Sequence, residues 1–358
     1  MGAIEIKDKI LNSNNSDRIS RYLTHLLDEM IFDELANDYL KRTGTSDFML
    51  GVPIPVGNSN VSEVDTLQIA HNMAKVIGCD PHFPYQKEYI KFLNIIFDGN
   101  ADKALISEGA KSGELANYEL SCAYERAALL IEPKSKDALY LYARACLDAY
   151  QSGENTEEYT GLFKAESLEM FELLTMIHPD FELGFYYLGY SYANLGLYLK
   201  AKLTWEEFID LTEGTINKDT IKQRVEINER LFHLKDPVLI EQAINEILRG
   251  NYAYGKNELA KYVNSSYAEW WPLWYYLGVA ESALANYELA IQYYKKALNF
   301  SPSNLDIMKE LVEIYEAISD EDGAKKYRKK IEIIEKNRME EASDNKKGLK
   351  KRSKKGSN

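Results

Sequence analysis

The hexapeptide Leu115-Ala116-Asn117-Tyr118-Glu119-Leu120 recurs unchanged as Leu284-Ala285-Asn286-Tyr287-Glu288-Leu289, 169 residues later. The match extends through Tyr124/Tyr293, Ala128/Ala297, Leu129/Leu298 and Pro133/Pro302, and upstream through Leu105/Trp274 and Gly109/Gly278. An internal period constrains a fold more tightly than composition does, because each unit is one supersecondary element that buries its apolar face only against its neighbours. On either side of the hexapeptide the apolar residues follow helical spacing, so the repeated element is helix, tight turn, helix. The offset is one residue short of five periods of about 34.

Two copies carry the pattern most fully. One reads Trp274-x2-Leu277-Gly278, then Ala290, Tyr294, Ala297 and Pro302; the other reads Phe185-x2-Leu188-Gly189-x2-Tyr192, then Ala201 and Trp205. A further copy follows Pro302 in the same register, with Met308, Leu311, Tyr315 and Ala324. Leu139, Tyr142, Ala143 and Cys146 suit a first helix and Phe171, Leu174 and Pro179 its second, if residues 151–164 are a loop insertion. Pro237 to Tyr262 is a degenerate copy, with Asn251-Tyr252 in the turn and Gly255 at the small position. Over residues 102–338 this pattern resembles the tetratricopeptide repeat (TPR) family, whose unit is W-x2-L-G-x2-Y, A-x3-F and P. Glu281 stands where that pattern has tyrosine, a departure.

The resemblance implies an all-α chain, a right-handed α-solenoid of TPR-type helix-turn-helix repeats with an N-terminal helical cap. Small residues at Gly189, Gly278, Ala201 and Ala290 let paired helices approach closely, while Trp274, Tyr192 and Trp205 fill the space between units. Pro133, Pro179 and Pro302 end second helices because proline cannot continue the hydrogen-bond ladder. The expected organisation is a cap over residues 1–98, a solenoid of about five to six repeats over 99–338, and a basic disordered tail over 339–358. Within the cap, residues 17–42 read as one amphipathic helix with Asp17 as a possible N-cap, and 43–60 as a Gly/Pro-rich extended loop. Helices follow at about 62–77, starting near Ser62 with Glu63 in its first turn, and at 85–97, around a rigid turn from Gly78 to Pro84. An extra helix near 220–234 breaks the 34-residue register.

Composition excludes several functional classes. With 45% hydrophobic and 28% charged residues the chain should fold. No signal peptide or membrane span is readable. Three cysteines, Cys79, Cys122 and Cys146, are widely spaced in sequence and make neither a disulfide framework nor a four-thiolate zinc site, which points to a reducing, cytoplasmic setting. Residues 342–358 carry seven Lys or Arg against one Asp, so the net −13 of the chain divides into +6 on the tail and −19 on the rest. An acidic body speaks against a nucleic-acid groove on the solenoid, leaving the tail as the place to touch phosphates or an anionic surface.

Catalytic motifs are missing. His25, His71, His82, His178 and His233 form no H-E-x-x-H, and no phosphate-binding glycine loop or G-x-S-x-G elbow appears, so no enzyme activity, cofactor or metal is expected. Cys79, Asp80 and His82, with His71 upstream, have ligand chemistry but read as a proline-bracketed turn. The TPR resemblance implies instead a protein-protein interaction scaffold that holds a partner peptide on a concave groove lined by first helices. Its register assigns Tyr140, Arg144, Tyr186, Tyr190, Asn194 and Tyr275 to that groove. Tyrosine offers rigid contact area with a hydroxyl handle. Arg144 and Asn194 fall short of the basic clamp with which some family members hold acidic C-terminal tails. Trp270 and Trp271 before Trp274 either staple the turn or anchor a partner.

Overall fold

Both copies of the repeated hexapeptide turn the chain in the same way. Ala116 and Ala285 lie in the left-handed region, with φ of 59° and 61°. At each, the next residue donates back across the helix end: Asn117 N–H to the Ser112 carbonyl and Asn286 N–H to the Glu281 carbonyl, both at 2.9 Å. This is the Schellman closure that satisfies orphan carbonyls at a helix C-terminus. Gly250 (φ 94°) and Ser319 (φ 61°) close the same way, through Asn251 to Glu246 (2.8 Å) and Asp320 to Tyr315 (2.8 Å).

The computed structural model describes residues 17–57, 65–153 and 155–355, with the backbone alone from 340 onward. The chain forms two compact units, the first comprising residues up to 196 with 203–227, the second 197–202 with 228 to the end.

In the first unit the repeat helices are α6 (Ala101–Glu114), α7 (Tyr118–Ile131), α8 (Lys136–Gln151), α9 (Glu157–Ile177) and α10 (Glu182–Ala193), followed by α11 (Tyr198–Leu211) and α12 (Lys218–His233), which both units share. Ser135 and Thr156 cap α8 and α9 through their hydroxyls. Pro133 and Pro179 each stand two residues beyond the last residue of a second helix, as proline requires. Gly189 lies where an added Cβ would be 2.2 Å from Trp205 Nε1, so the indole packs closely against the α10 backbone and donates to the Tyr186 carbonyl at 3.1 Å. Leu188, Tyr192, Ala201 and Trp205 are buried, while Phe185 is half-buried.

The stretch read as a loop insertion is mostly helix. Residues 157–164 prolong α9 to 21 residues. Glu, Leu, Phe and Lys are adequate helix formers, and the Thr156 cap starts the helix earlier than the 34-residue register requires.

In the second unit α13 (Lys235–Leu248) pairs with α14 (Tyr252–Leu259), α15 (Trp271–Ala283) with α16 (Tyr287–Phe300), and α17 (Leu305–Ala317) with α18 (Glu321–Lys355). Its core holds Trp274, Leu277, Ala290, Tyr294, Ala297, Met308, Leu311 and Tyr315. Gly278 accepts the Tyr294 ring, which an added Cβ would meet at 2.7 Å, and Pro302 again stands two residues past a second helix. Glu281, the residue departing from the repeat pattern, is buried but satisfied: Lys256 Nζ lies at 3.2 Å and Asn286 Nδ2 donates at 2.7 Å. The basic run expected to lack structure is helical in its backbone to Lys355, since Lys, Arg, Glu, Ala and Leu readily prolong a helix nucleated at Glu321. Residues 356–358 lie outside the described residues.

The N-terminal region departs most from expectation. Residues 17–42 are not one helix: α1 (Ser20–Leu23) leads into a 3-10 turn at Thr24–Leu27, then β1 (Met30–Glu34) and α2 (Asn37–Thr43). The Gly/Pro-rich stretch contains α3 (Ser46–Met49) and β2 (Pro53–Gly57), which pairs antiparallel with β1, Ile31 opposite Val56 and Asp33 opposite Ile54. Helical spacing was genuine only to Leu27; beyond it, strand pairing outweighs local propensity. Pro53 and Pro55 face away from β1, where they have no N–H to leave unpaired, and their carbonyls accept from Tyr89 Oη (2.6 Å) and Asn72 Nδ2 (3.2 Å). α4 (Thr66–Cys79) and α5 (Gln86–Ile96) follow; Ser62 and Glu63 lie outside the described residues. Gly78 belongs to the last turn of α4 rather than to a loop.

A buried ion cluster pins this N-terminal layer to the repeats. Arg126 on α7 donates to Asp17 through Nη2 and to Ser20 Oγ through Nη1. Arg18 reaches Glu166 (3.2 Å) and Glu169 (2.5 Å) on α9, and Tyr142 Oη donates to Glu166 at 2.8 Å. Burial alone would raise the Asp17 carboxyl, but the Arg126 charge and the bonds from Ser20 outweigh it and hold it below the usual range.

Candidate functional site

Four of the six groove residues assigned from the repeat register gather in the first unit, on α8 and α10. Tyr140 lies edge-on to Phe181, with ring centroids 5.4 Å apart, and beside Tyr187 at 6.0 Å. Arg144, one turn along α8, places its guanidinium 4.1 Å over the Tyr187 ring while holding Asp148 through both carboxylate oxygens, at 3.2 and 3.1 Å. Tyr186 and Tyr190 are one turn apart on α10, with centroids 5.2 Å apart. Asn194 follows α10 with its side chain exposed; its N–H donates to the Tyr190 carbonyl at 2.9 Å and its carbonyl accepts from Lys164 Nζ at 3.3 Å. Tyr275 belongs to the second unit, packed among Trp271, Tyr276 and Tyr294.

The register missed two residues. Tyr187 is the centre of the aromatic group, touching Tyr140, Phe171, Tyr186 and Arg144. Its signal lay in the run Phe185-Tyr186-Tyr187, where three successive aromatics cannot all face one side of a helix. Glu226 is the second: both phenols of the α10 pair donate to its carboxylate, Tyr186 Oη to Oε2 at 3.0 Å and Tyr190 Oη to Oε1. Glu226 sits on α12, the helix that breaks the register, so the tyrosine pair is engaged by the chain's own extra helix. Arg224, two residues before Glu226, donates to the Ile209 carbonyl and to Thr212 Oγ1 (2.7 Å), closing the C-terminal end of α11.

Burial raises the Tyr140 hydroxyl, and burial with the adjacent Glu226 raises that of Tyr186, so both stay protonated donors at neutral pH. Burial opposes the Arg144 charge, but Tyr187 and Asp148 outweigh it and keep the guanidinium ionised. In the second unit, burial and the nearby Glu310 push Tyr275 up to about 12. The arrangement supplies hydroxyl donors, a stacked cation and aromatic area, the chemistry of a surface that holds carboxylates and side chains.

The cluster with ligand chemistry does not converge. Cys79 is buried and donates to the Leu23 carbonyl at 3.3 Å, its thiol pushed up to about 12 by burial. His82 is exposed, with its backbone N–H on Asp80 Oδ1, and His71 lies between the Phe97 and Tyr124 rings. Among the described residues no three His, Cys, Asp or Glu come together as metal ligands. Cysteines far apart in sequence do meet, however: Cys122 and Cys146, on α7 and α8, have sulfurs 3.6 Å apart in the core. Trp271 packs against the second core and Trp274 Nε1 donates to the Ala268 carbonyl at 2.7 Å, while Trp270 is 36% exposed. No helix among the described residues is long and apolar enough to cross a membrane.

No protein-family model and no curated protein matches this chain. Solved structures similar to it are TPR proteins. The TPR domain of P58(IPK) aligns over 93% of this chain and 96% of its own at 15% identity and a TM-score of 0.40. The TPR2AB domain of yeast Sti1, in its pHSP90 complex, covers 69% and 96% at 12% identity and TM-score 0.31. PilF of Pseudomonas aeruginosa covers 63% and 88% at 17% and 0.28. At scores this low the likenesses carry no argument, and the helix-turn-helix repeat of the chain rests on its own features: the left-handed turn closures, and the glycines against Trp205 and Tyr294.

Proposed function

We propose that this chain is a non-enzymatic interaction module, binding a protein segment on the face that α8 and α10 build in the first unit. The observation that carries this reading is the gathering of Tyr140, Arg144, Tyr186, Tyr187 and Tyr190 on that face, with hydroxyl donors and a stacked guanidinium in place. Preformed by packing, such a surface orders few of its own side chains on binding and so recognises a segment at low entropic cost. The mechanism is recognition by aromatic contact and hydroxyl-to-carboxylate hydrogen bonds, with no bond made or broken. Replacing Tyr186 and Tyr190 by Ala removes the contact, and the proteins captured by the full chain from its native host should be lost while the helical circular-dichroism spectrum persists. Removal of residues 342–358 should leave capture unchanged. Capture unaffected by the tyrosine substitutions would refute the assignment.

A further inference from the structure

Helix α12 has no counterpart in the repeat, yet it supplies the one carboxylate to which both phenols of the α10 pair donate. Its inward stripe over residues 218–227 is Thr220, Gln223, Arg224, Glu226 and Ile227, of which Ile227 alone is fully buried. Ile221 and Val225 on its outer side are 43% and 57% exposed. The helix is therefore held by polar contacts and a single aliphatic plug, far less apolar burial than anchors α7 or α8. A segment held this way belongs to the low-stability end of a structure, the part that opens before the rest.

We propose that residues 218–227 are an intramolecular ligand of the tyrosine face, and that the partner this face accepts in trans is a helix presenting one Glu carboxylate followed by an aliphatic residue, as Glu226-Ile227 do. The proposal rests on the tyrosine face being the binding surface, and it names both the chemistry of the partner and the event that admits it, displacement of α12. The logic is one of competition. A helix tethered beside its site acts at a high effective concentration, so a free ligand of equal intrinsic affinity is excluded until the tether's own contacts are weakened. Weakening Glu226 and Ile227 leaves the tyrosine donors intact and without their carboxylate.

The test uses the full-length chain and, as probe, a fluorescent peptide of residues 217–231, read by anisotropy. The Glu226→Ala, Ile227→Ser variant should bind this peptide at least tenfold more tightly than the wild-type chain does. A peptide carrying Glu226→Ala should lose at least tenfold of that binding, as should an opened variant that also carries Tyr186→Phe and Tyr190→Phe. Equal binding by closed and opened chains, or binding indifferent to the peptide's Glu226, overturns the proposal. If the opened variant loses more ellipticity than one helix accounts for, hydrogen exchange on the wild-type chain decides. Amides of residues 218–227 should exchange at least tenfold faster than those of α10, and equal protection overturns it. Peptide binding alongside unchanged capture from the native host would refute the proposed function alone.

Discussion

Replacing Asp17 by Ala should cost more than replacing its partner Arg126 by Met, although either removes the same ion pair. Arg126 sits mid-helix on α7 with its side chain 1% exposed, so its guanidinium cannot follow a lost partner into water. Its Nε already meets no acceptor among the described residues, which leaves Ser20 Oγ and the nearby Glu166 to compensate in part. Uncompensated buried charges of this kind cost about 3–5 kcal/mol, and the residual partners place Asp17→Ala at about 3 kcal/mol. Arg126→Met keeps the volume of the stem, and Asp17, 10% exposed at the edge of the layer, can turn to solvent. Its loss is then close to that of one charge-assisted hydrogen bond, about 1.5–2 kcal/mol. Combining the two changes removes both charges and should bring the cost back to within about 1 kcal/mol of Arg126→Met alone, a coupling of roughly 2 kcal/mol or more. Native-state hydrogen exchange of α7 amides reports opening of the first unit by itself, with about 1.4 kcal/mol per tenfold change in protection. An Arg126→Met cost equal to or above that of Asp17→Ala, or additive effects in the double variant, would refute the argument. The pH dependence has a definite sign. The Asp17 carboxyl is held below its usual range, so the pin is intact above about pH 4, the unfolded value, and weakens as pH falls through the folded one.

Two glycines of similar surroundings should respond differently to alanine. A Cβ at Gly78 would stand 1.9 Å from the Ala123 carbonyl oxygen, backbone against backbone, whereas at Gly109 it meets the Glu125 carboxyl at 2.2 Å, the movable end of a side chain. Gly78→Ala should cost about 3 kcal/mol or more and Gly109→Ala about 1, checked by thermal unfolding. Glu125 is itself a liability: it is buried with neither oxygen meeting a donor among the described residues, and burial raises its pKa well above the ordinary value. Stability from the neutral acid is full below about pH 4.5 and is lost as pH rises toward the folded value. Glu125→Met should add about 1–3 kcal/mol at neutral pH and flatten that slope, as urea titrations at several pH values would show.

Helix pairs were legible in the sequence wherever small residues face large ones. Gly189 with Trp205 and Gly278 with Tyr294 are contacts between a residue and another about sixteen positions on, within reach of a periodic pattern. The β1/β2 hairpin was not legible, because its strands are separated by eighteen residues and β2 carries two prolines that read as a loop. Its stability comes from Tyr89 and Asn72, which belong to helices elsewhere in the chain. The proposed binding face was legible in part for the same reason. Repeat register placed Tyr140, Arg144, Tyr186 and Tyr190 together, but it had no means of finding Glu226, since a helix outside the period has no register to carry.

The turn closures at Gly250, Ala285 and Ser319 fall 35 and 34 residues apart, each sealed by backbone bonds to its own preceding helix. In its backbone such a junction works like a standard coupling between carriages. Cutting the chain just after Ala285 and rejoining it just after Ser319 keeps the backbone closure, with the Asp320 N–H taking the place of the Asn286 N–H, but removes the side-chain amide that satisfies Glu281. In this stretch the backbone lets length vary by whole units, provided the residue after the turn still answers Glu281. Between Ala116 and Gly250 the couplings are unevenly spaced, and there the long α9 and the intruding α12 have traded that freedom for a particular surface.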